Sequence, residues 1–227
     1  VLALARYYQT LPSHLVSKPK WVAAPVLMIA VPVLFALKQP DLGSAMLFSA
    51  VGFGLMFLAG VSILYYLGGA MILGLIAPHL WASLHDYQRK RIEIFLDPDS
   101  DPKGAGYHIS QSKIALGSAG FSGKGYMQGS QSQLDFLPEK HTDFIFTMYG
   151  EEWGFLGCMT LLILYATLLF LLARMARRSE STFARLLIAG SWLTISLYLF
   201  INVAMVTGIA PVVGIPLPFV SYGGSSM

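Results

Sequence analysis

The sequence predicts an all-α protein that crosses a membrane several times. Its 227 residues are 55% hydrophobic and only 12% charged, and the mean hydropathy is +0.61. Four runs contain no Asp, Glu, Lys or Arg: residues 21–37, 42–84, 153–173 and 186–227. None of them alternates apolar with polar residues as barrel strands do, and lipid offers the backbone no hydrogen-bond partner. The spans are therefore expected to be helical.

The apolar runs predict five membrane-spanning helices. A helix rises about 1.5 Å per residue and the hydrocarbon core is about 30 Å thick, so about 20 residues cross it once. The first and third runs each have room for one span, the second for two, and the fourth for one span followed by a loop. We expect spans near residues 21–37, 44–60, 62–82, 151–173 and 185–207.

The basic residues of the short connections predict the orientation of these spans. The segment before the first span carries Arg6, Lys18 and Lys20 without an acid. The connection between the fourth and fifth spans carries four arginines against Glu180 alone: Arg174, Arg177, Arg178 and Arg185. Because Lys and Arg concentrate in cytoplasmic loops, both segments are expected in the cytoplasm. Five spans then place the loop 85–152 outside.

The outer loop, residues 85–152, is expected to hold the functional site. It carries ten of the chain's twelve acids, all except Asp41 and Glu180, and loops of this length are usually functional. Asp97-Pro98-Asp99 predicts a helix break, residues 109–116 a short helix, and residues 117–129 a glycine-rich stretch. The sequence has no nucleic-acid-binding signature, and a single cysteine, Cys158, excludes a disulfide framework.

Asp143 is the strongest candidate for catalysis. It lies in LPEKHTDFIF, residues 137–146, where a proline and charged residues precede an apolar run. One interpretation is helix capping, because an acid near a helix N-terminus meets the positive end of the dipole. Glu151 and Glu152, closer to the apolar run, are expected to cap better. The alternative is a general base, since an ionisable group at a membrane boundary is a functional candidate by default.

Other polar residues are candidates for binding. Asp41 follows Pro40 and is expected to cap the second span, with a catalytic role in addition left open. Basic side chains of the outer loop are suited to contact phosphate: Arg89, Lys90, Arg91, Lys113, Lys124 and Lys140. The histidines are scattered, so no His-based metal site is predicted, whereas a carboxylate-held Mg²⁺ or Mn²⁺ stays open.

The last segment, residues 208–226, intersperses three prolines with glycines and apolar residues: Pro211, Pro216 and Pro218. Non-helical backbone at membrane depth needs protein cover or a water-filled cavity. We therefore expect this segment to line a cavity.

Five stretches carry a family pattern: QPDLGSA at 39–45, HDYQRKR at 85–91, DPKGAGYHISQSKIALGSAGFSGKG at 101–125, QSQLDFLPEKHTDFIF at 131–146 and PVVGIPLPFVSYGGS at 211–225. Together they resemble the SEDS family (shape, elongation, division and sporulation) of bacterial cell-wall polymerases. The resemblance runs along the whole chain. HDYQRKR and QSKIALGSAG resemble the elongation branch of the family rather than the division branch.

The resemblance implies a ten-helix glycosyltransferase of the bacterial inner membrane. Such an enzyme polymerises lipid II into glycan strands, releases undecaprenyl diphosphate, and works with a class B penicillin-binding protein and other elongation proteins. On that alignment the chain is a fragment that begins at the end of the fourth helix and stops at the start of the tenth. Asp143 matches the family's essential external aspartate. We expect Asp41, Lys113, Lys124, Lys140 and His141 to contact the substrate.

A transporter that flips lipid II is the rival hypothesis, because Gly- and Pro-interrupted segments and an intramembrane cavity suit transport. Against it, the spans hold almost no charged residue to escort a diphosphate across the membrane. A scaffold without activity is a third hypothesis, and it leaves the acidic outer loop unexplained.

Overall fold

Helices provide the regular secondary structure of the described residues. The computed structural model describes residues 1–83, 86–97, 101, 104–129 and 141–222. In chain order the helices are α1 (Leu2–Thr10), α2 (Pro19–Lys38), α3 (Leu42–Leu58), α4 (Ile63–Ser83), α5 (Asp86–Leu96), α6 (Ala105–Ser118), α7 (Ile145–Arg178) and α8 (Thr182–Val206). A short 3-10 helix, Ser13–Leu15, joins α1 and α2. These residues contain no strand, and the predicted all-α class is confirmed.

Five of the helices, α2, α3, α4, α7 and α8, occupy the ranges predicted as spans. Helices α2, α7 and α8 are long and apolar enough to cross a membrane, with mean hydropathies of 2.0, 2.4 and 1.8 in their most apolar windows. The bounds agree with the predicted ones to within a few residues, except that α7 begins at Ile145 instead of residue 151. The individual crossings stay predictions.

These helices leave most of their apolar side chains exposed. Only 22%, 11% and 17% of the most apolar windows of α2, α7 and α8 are buried. Leu64, Met71 and Leu164 are each more than half exposed. Water would penalise such a surface by about 25 cal/mol per Å², so the helices require lipid or further helices around them. The protein is a multi-pass membrane protein.

The first of two compact units comprises residues 1–83 and 168–197. Its core contains the buried side chains of Tyr8, Leu55 and Met56. Helices α2 and α3 approach closely at Gly52, where a Cβ atom would lie 2.5 Å from Cγ1 of Ile29. A larger residue at this position would force the two helices apart.

The second unit comprises the described residues of 84–167 and 198–227. It contains α5, α6, the first part of α7, the last turns of α8 and the non-helical segment 207–222. Ser112 of α6 donates a hydrogen bond to the carbonyl of Val206 at 2.8 Å and lies 2.6 Å from the hydroxyl of Thr147 in α7. All three residues are buried, so these contacts join α6, α7 and α8 within the unit.

The early start of α7 changes the role of two acids. Glu151 and Glu152 lie past the first turn of α7 and shortly before its kink at Gly154, so they do not cap its start at Ile145. Both are buried, and Nζ of Lys124 lies 2.7 Å from Oε1 of Glu151. These acids did not mark the start of α7, because Lys124, 27 residues earlier in the chain, pairs with the buried carboxylate of Glu151.

A kink interrupts α7 at Gly154, which has φ +65° and ψ −161°. In a straight helix the N–H groups of residues 155–156 would donate to the carbonyls of residues 151–152. Here they donate to the carbonyls of residues 120–121 at 3.1 Å, while the carbonyls of 151–152 accept from the N–H groups of 124–125 at 3.0 Å. The four backbone groups released by the kink are thus all paired with the glycine-rich stretch.

Candidate functional site

The segment that carries Asp143 is held through its backbone. Three successive carbonyls, those of residues 141–143, each accept a hydrogen bond from a group between residues 202 and 222. The donors are the N–H of Tyr222 to His141 at 2.9 Å, the hydroxyl of Ser221 to Thr142 at 2.7 Å and the side-chain amide of Asn202 to Asp143 at 2.9 Å. Because these carbonyls directly precede α7, the bonds determine where the backbone of Asp143 lies.

Two of these donors have a second bond that reaches the non-helical segment after α8. The amide of Asn202, a fully buried residue, also donates to the carbonyl of Ile215 at 2.7 Å. The hydroxyl of Ser221 also accepts the N–H of Leu217 at 2.7 Å. Each side chain therefore ties the start of α7 to that segment.

The carboxylate of Asp143 lies against Gly214. A Cβ atom at residue 214 would be 3.3 Å from Oδ2 of Asp143, and Gly214 has φ +74°, a left-handed conformation that favours glycine. Asp143 itself is half-buried. A half-buried carboxylate on a fixed backbone is suited to accept a proton from a hydroxyl group that comes within hydrogen-bond reach.

Lys113 extends from α6 to the turn that follows α8. A Cβ atom at Gly208 would be 2.3 Å from Cε and 2.6 Å from Nζ of Lys113, so the ammonium lies on the backbone of that turn. The negative end of the α8 dipole favours a cation at this position. The residue is exposed, and its neighbour Ser112 contacts Thr147 in the first turn of α7. Lys113 and Asp143 are thus presented by elements that pack together.

Lys124 has a different environment. Its ammonium forms the ion pair with Glu151, and the two side chains are 27% and 1% exposed. Removing the cation from a buried carboxylate is strongly destabilising, so this pair has a structural role. Contact of Lys124 with a substrate stays a prediction, and the ammonium would then have to serve both groups.

The other predicted binding residues are distributed. Oδ1 of Asp41 accepts the N–H of Ser44 at 3.0 Å, which confirms the expected cap of α3. Asp41 belongs to the first unit, and its contact with a substrate stays a prediction. His141 is exposed beside Asp143. Lys140 lies outside the described residues.

A charged cavity of about 410 Å³ lies beside α5. Side chains of both signs line it: Asp86, Arg89, Lys90, Glu93 and Asp101. Nζ of Lys90 lies 3.7 Å from Oδ2 of Asp101. Because acids and bases alternate around the cavity, its charge alone does not select a phosphate, and phosphate contacts of Arg89, Lys90 and Arg91 stay predictions.

The described part of the chain offers no cage of side-chain ligands for the predicted Mg²⁺ or Mn²⁺. Across those residues, no three His, Cys, Asp or Glu side chains converge closely enough to hold an ion. A cation held mainly by water and diphosphate stays a prediction.

Asn202 was not predicted as a site residue. It is the single asparagine of the chain, within a run of more than forty residues that lacks charge. A lone amide in such a run is itself a signal, because polar side chains inside spans usually contact backbone carbonyls or serve function.

The chain is similar to known proteins in both sequence and backbone structure. A family model described as cell cycle protein, FtsW/RodA/SpoVE, matches residues 1–227. The chain is 48% identical over 203 residues to the peptidoglycan glycosyltransferase MrdB of Escherichia coli K12, an alignment that covers 89% of the chain and 55% of MrdB. It is 41% identical over 203 residues to the probable peptidoglycan glycosyltransferase FtsW of Trichlorobacter lovleyi, covering 89% and 52%. The chain spans about half the length of these curated relatives.

Two solved structures share the fold. One, described as the structural coordination of polymerization and crosslinking by a peptidoglycan synthase complex, matches with a TM-score of 0.81 at 32% identity, over 99% of this chain and 62% of that chain. The rod shape determining protein RodA of Thermus thermophilus matches with a TM-score of 0.63 at 28% identity, over 99% and 56%. The resemblance noted in the sequence is therefore matched in the backbone.

Proposed function

This chain belongs to the FtsW/RodA/SpoVE family of cell cycle proteins, and from that premise we propose that the protein is a peptidoglycan glycosyltransferase that polymerises lipid II. The observation that carries the proposal is the fixed position of Asp143. Its backbone carbonyl accepts a hydrogen bond from the amide of Asn202, and its carboxylate lies against Gly214. The 48% identity to MrdB of Escherichia coli K12 supports a role in elongation.

Asp143 is the proposed general base. Its carboxylate takes the proton from the 4-hydroxyl of the acceptor N-acetylglucosamine. The oxygen attacks the anomeric carbon of the donor N-acetylmuramic acid and inverts it. The bond to undecaprenyl diphosphate breaks, and its electron pair leaves with the diphosphate. A base must remain within hydrogen-bond reach of the hydroxyl, and the three backbone bonds to residues 141–143 support that requirement.

Lys113 is the cation that we favour for the departing diphosphate. Lys113 is an exposed residue whose ammonium lies on the turn after α8, whereas Lys124 is paired with Glu151. A fixed cation stabilises charge that develops in the transition state. We propose Lys140, His141 and Asp41 as further substrate contacts, and Lys124 as a weaker one.

A transpeptidase of the class B penicillin-binding proteins is the proposed partner. The matched synthase complex coordinates polymerization with crosslinking, and glycan strands become a wall only when they are crosslinked. We place the protein in the bacterial cytoplasmic membrane, with the outer loop outside, because lipid-linked sugars would meet Asp143 on that side.

Polymerisation of purified lipid II in detergent tests the proposal. We expect the intact protein to produce glycan chains and Asp143→Ala or Asp143→Asn to produce none, with each variant still folded. Gel separation of labelled glycan measures the product. Full activity of either variant would overturn the role of Asp143.

The lipid II transporter remains the second candidate, since the segment 207–222 is non-helical as transport sites often are. Detergent removes the two sides of a membrane, so polymer formed there requires an enzyme. Transfer of lipid II across vesicle membranes without any polymer would favour the transporter. A protein that does neither would fit a scaffold.

A further inference from the structure

We infer that Asn202 is a positioning residue for Asp143, acting on the carboxylate through two backbone carbonyls. The inference rests on the proposed role of Asp143 as the base. Asn202 lies near the end of α8, is fully buried, and donates to the carbonyls of Asp143 at 2.9 Å and Ile215 at 2.7 Å.

The chemistry of both partners requires an amide. Carbonyl oxygens accept and do not donate, so only the NH₂ group of Asn202, which has two hydrogens, can bond both. A rotated amide would bring its own oxygen against two carbonyl oxygens. A leucine of similar size offers no donor, and an ionised aspartate offers only acceptors.

The two hydrogen bonds of Asn202 hold both sides of the contact between Asp143 and Gly214. Asp143 carries the carboxylate, and Ile215 adjoins Gly214, the residue against which that carboxylate lies. A single side chain thus sets the separation between the base and the wall beside it. Loss of the amide frees both segments, and a displacement of about 1 Å at a reacting group is enough to cost about 100-fold in rate.

The amide is retained although it leaves one atom unsatisfied. Oδ1 of Asn202 is buried and has no hydrogen-bond partner among the residues that the structure describes. An apolar side chain would remove that unsatisfied atom but would also take the donor away from the carbonyls of Asp143 and Ile215. The two donors of Asn202 therefore provide something that packing alone does not.

The test compares Asn202→Leu, Asn202→Asp, Asp143→Ala and a control in the intact protein with lipid II as the probe. Ser196→Ala is the matched control, because the Ser196 hydroxyl lies in the same helix and donates only to the carbonyl of Trp192 at 2.8 Å. Initial rates against lipid II concentration are expressed per folded protein, which is measured by size-exclusion chromatography and thermal unfolding.

For Asn202→Leu we expect kcat to fall at least about tenfold with KM within about twofold, since the substrate contacts remain while the base moves. A loss of folded protein would also lower the maximal rate without changing KM, and expressing the rate per folded protein removes that contribution. Parental kcat, or a change in KM alone, overturns the inference. If Asn202→Leu does not fold, the isosteric Asn202→Asp decides by the same criteria, and failure of both to fold assigns Asn202 to stability and overturns it. Parental activity of Asp143→Ala would instead overturn the proposed function.

Discussion

A side chain at Gly214 would meet the proposed base, Asp143. An alanine there would place Cβ 3.3 Å from Oδ2 of Asp143 and would have to adopt φ +74°, which costs an L-residue about 1 to 2 kcal/mol. We expect Gly214→Ala to lower the rate of glycan polymerisation by at least about tenfold, because the carboxylate or the segment must shift. Initial rates with purified lipid II measure the effect.

Gly68→Ala is the control for that substitution. Gly68 lies in α4, and a Cβ atom there would meet nothing within 4 Å. Alanine also suits a helix better than glycine by about 1 kcal/mol. The control is therefore expected to keep the parental rate, and a Gly214→Ala protein that does the same would show that the contact with Asp143 is not needed.

The Lys124–Glu151 pair predicts an asymmetric response to mutation. Lys124→Ala leaves the carboxylate of Glu151, 1% exposed, without this cation, whereas Glu151→Gln leaves an ammonium that is 27% exposed and accessible to water. We expect Lys124→Ala to lower the free energy of unfolding by about 3 kcal/mol or more and Glu151→Gln by about 1 kcal/mol. Denaturant titration in detergent measures both. Equal losses would mean that burial of the carboxylate is not the dominant cost.

Sequence alone identified some of these residues and not others. Asp143 and Asp41 could be found because an acid beside a proline or at the edge of an apolar run is a local pattern. The burial of Glu151 could not, because its partner Lys124 lies 27 residues earlier in the chain. Asn202 bonds a carbonyl 59 residues away, and no local pattern encodes that pairing.

At the scale of the elements, the kink of α7 depends on the close approach of the backbones of Gly154 and Gly123. A Cβ atom at Gly154 would lie 2.2 Å from the backbone nitrogen of Gly123, and one at Gly123 would lie 2.1 Å from the carbonyl oxygen of Glu152. Both obstacles are backbone atoms, which cannot rotate away. We expect Gly154→Ala to lower the free energy of unfolding by more than about 3 kcal/mol, the upper end of the cost of this glycine-restricted backbone conformation alone, as measured by denaturant titration.

Gly117→Ala, in α6, serves as the comparison for the kink. Nothing lies within 4 Å of a Cβ atom at Gly117, so the substitution is expected to leave stability unchanged or to raise it by up to about 1 kcal/mol. If Gly154→Ala were as stable as the parent, the kink would have to straighten without loss, contrary to the four backbone bonds with residues 120–125.

The helices themselves were largely predictable, since apolar runs longer than a membrane is thick have few alternatives to helix. The start of α7 was not. Acids at residues 151–152 suggested a boundary, whereas the helix begins at Ile145 and is kinked at Gly154, where the glycine-rich stretch pairs the backbone groups of residues 151–156. Element bounds fail where a second segment supplies the missing charge or hydrogen bonds.

For the molecule as a whole, the basic residues predict which ends face the cytoplasm. We expect Tyr126→Cys, in the outer loop, to react with a membrane-impermeant thiol reagent on intact spheroplasts, and Ser181→Cys, between α7 and α8, to react only after lysis. Both positions are exposed. Mass spectrometry of the labelled protein measures the reaction. The parent background is Cys158→Ser, which removes the only native thiol, and the reverse pattern of labelling would invert the predicted orientation.

The bonds between residues 141–143 and residues 202–222 also have a consequence for biosynthesis. The carbonyl of Thr142 accepts its hydrogen bond from Ser221, which lies 79 residues later in the chain. After Asp143 has been synthesised, the ribosome must therefore translate the whole of α7 and α8 before that donor exists. A nascent chain therefore carries the carboxylate long before it carries the groups that hold it. A chain arrested before residue 202 would therefore contain the carboxylate of Asp143 without any of the three groups that hold its segment.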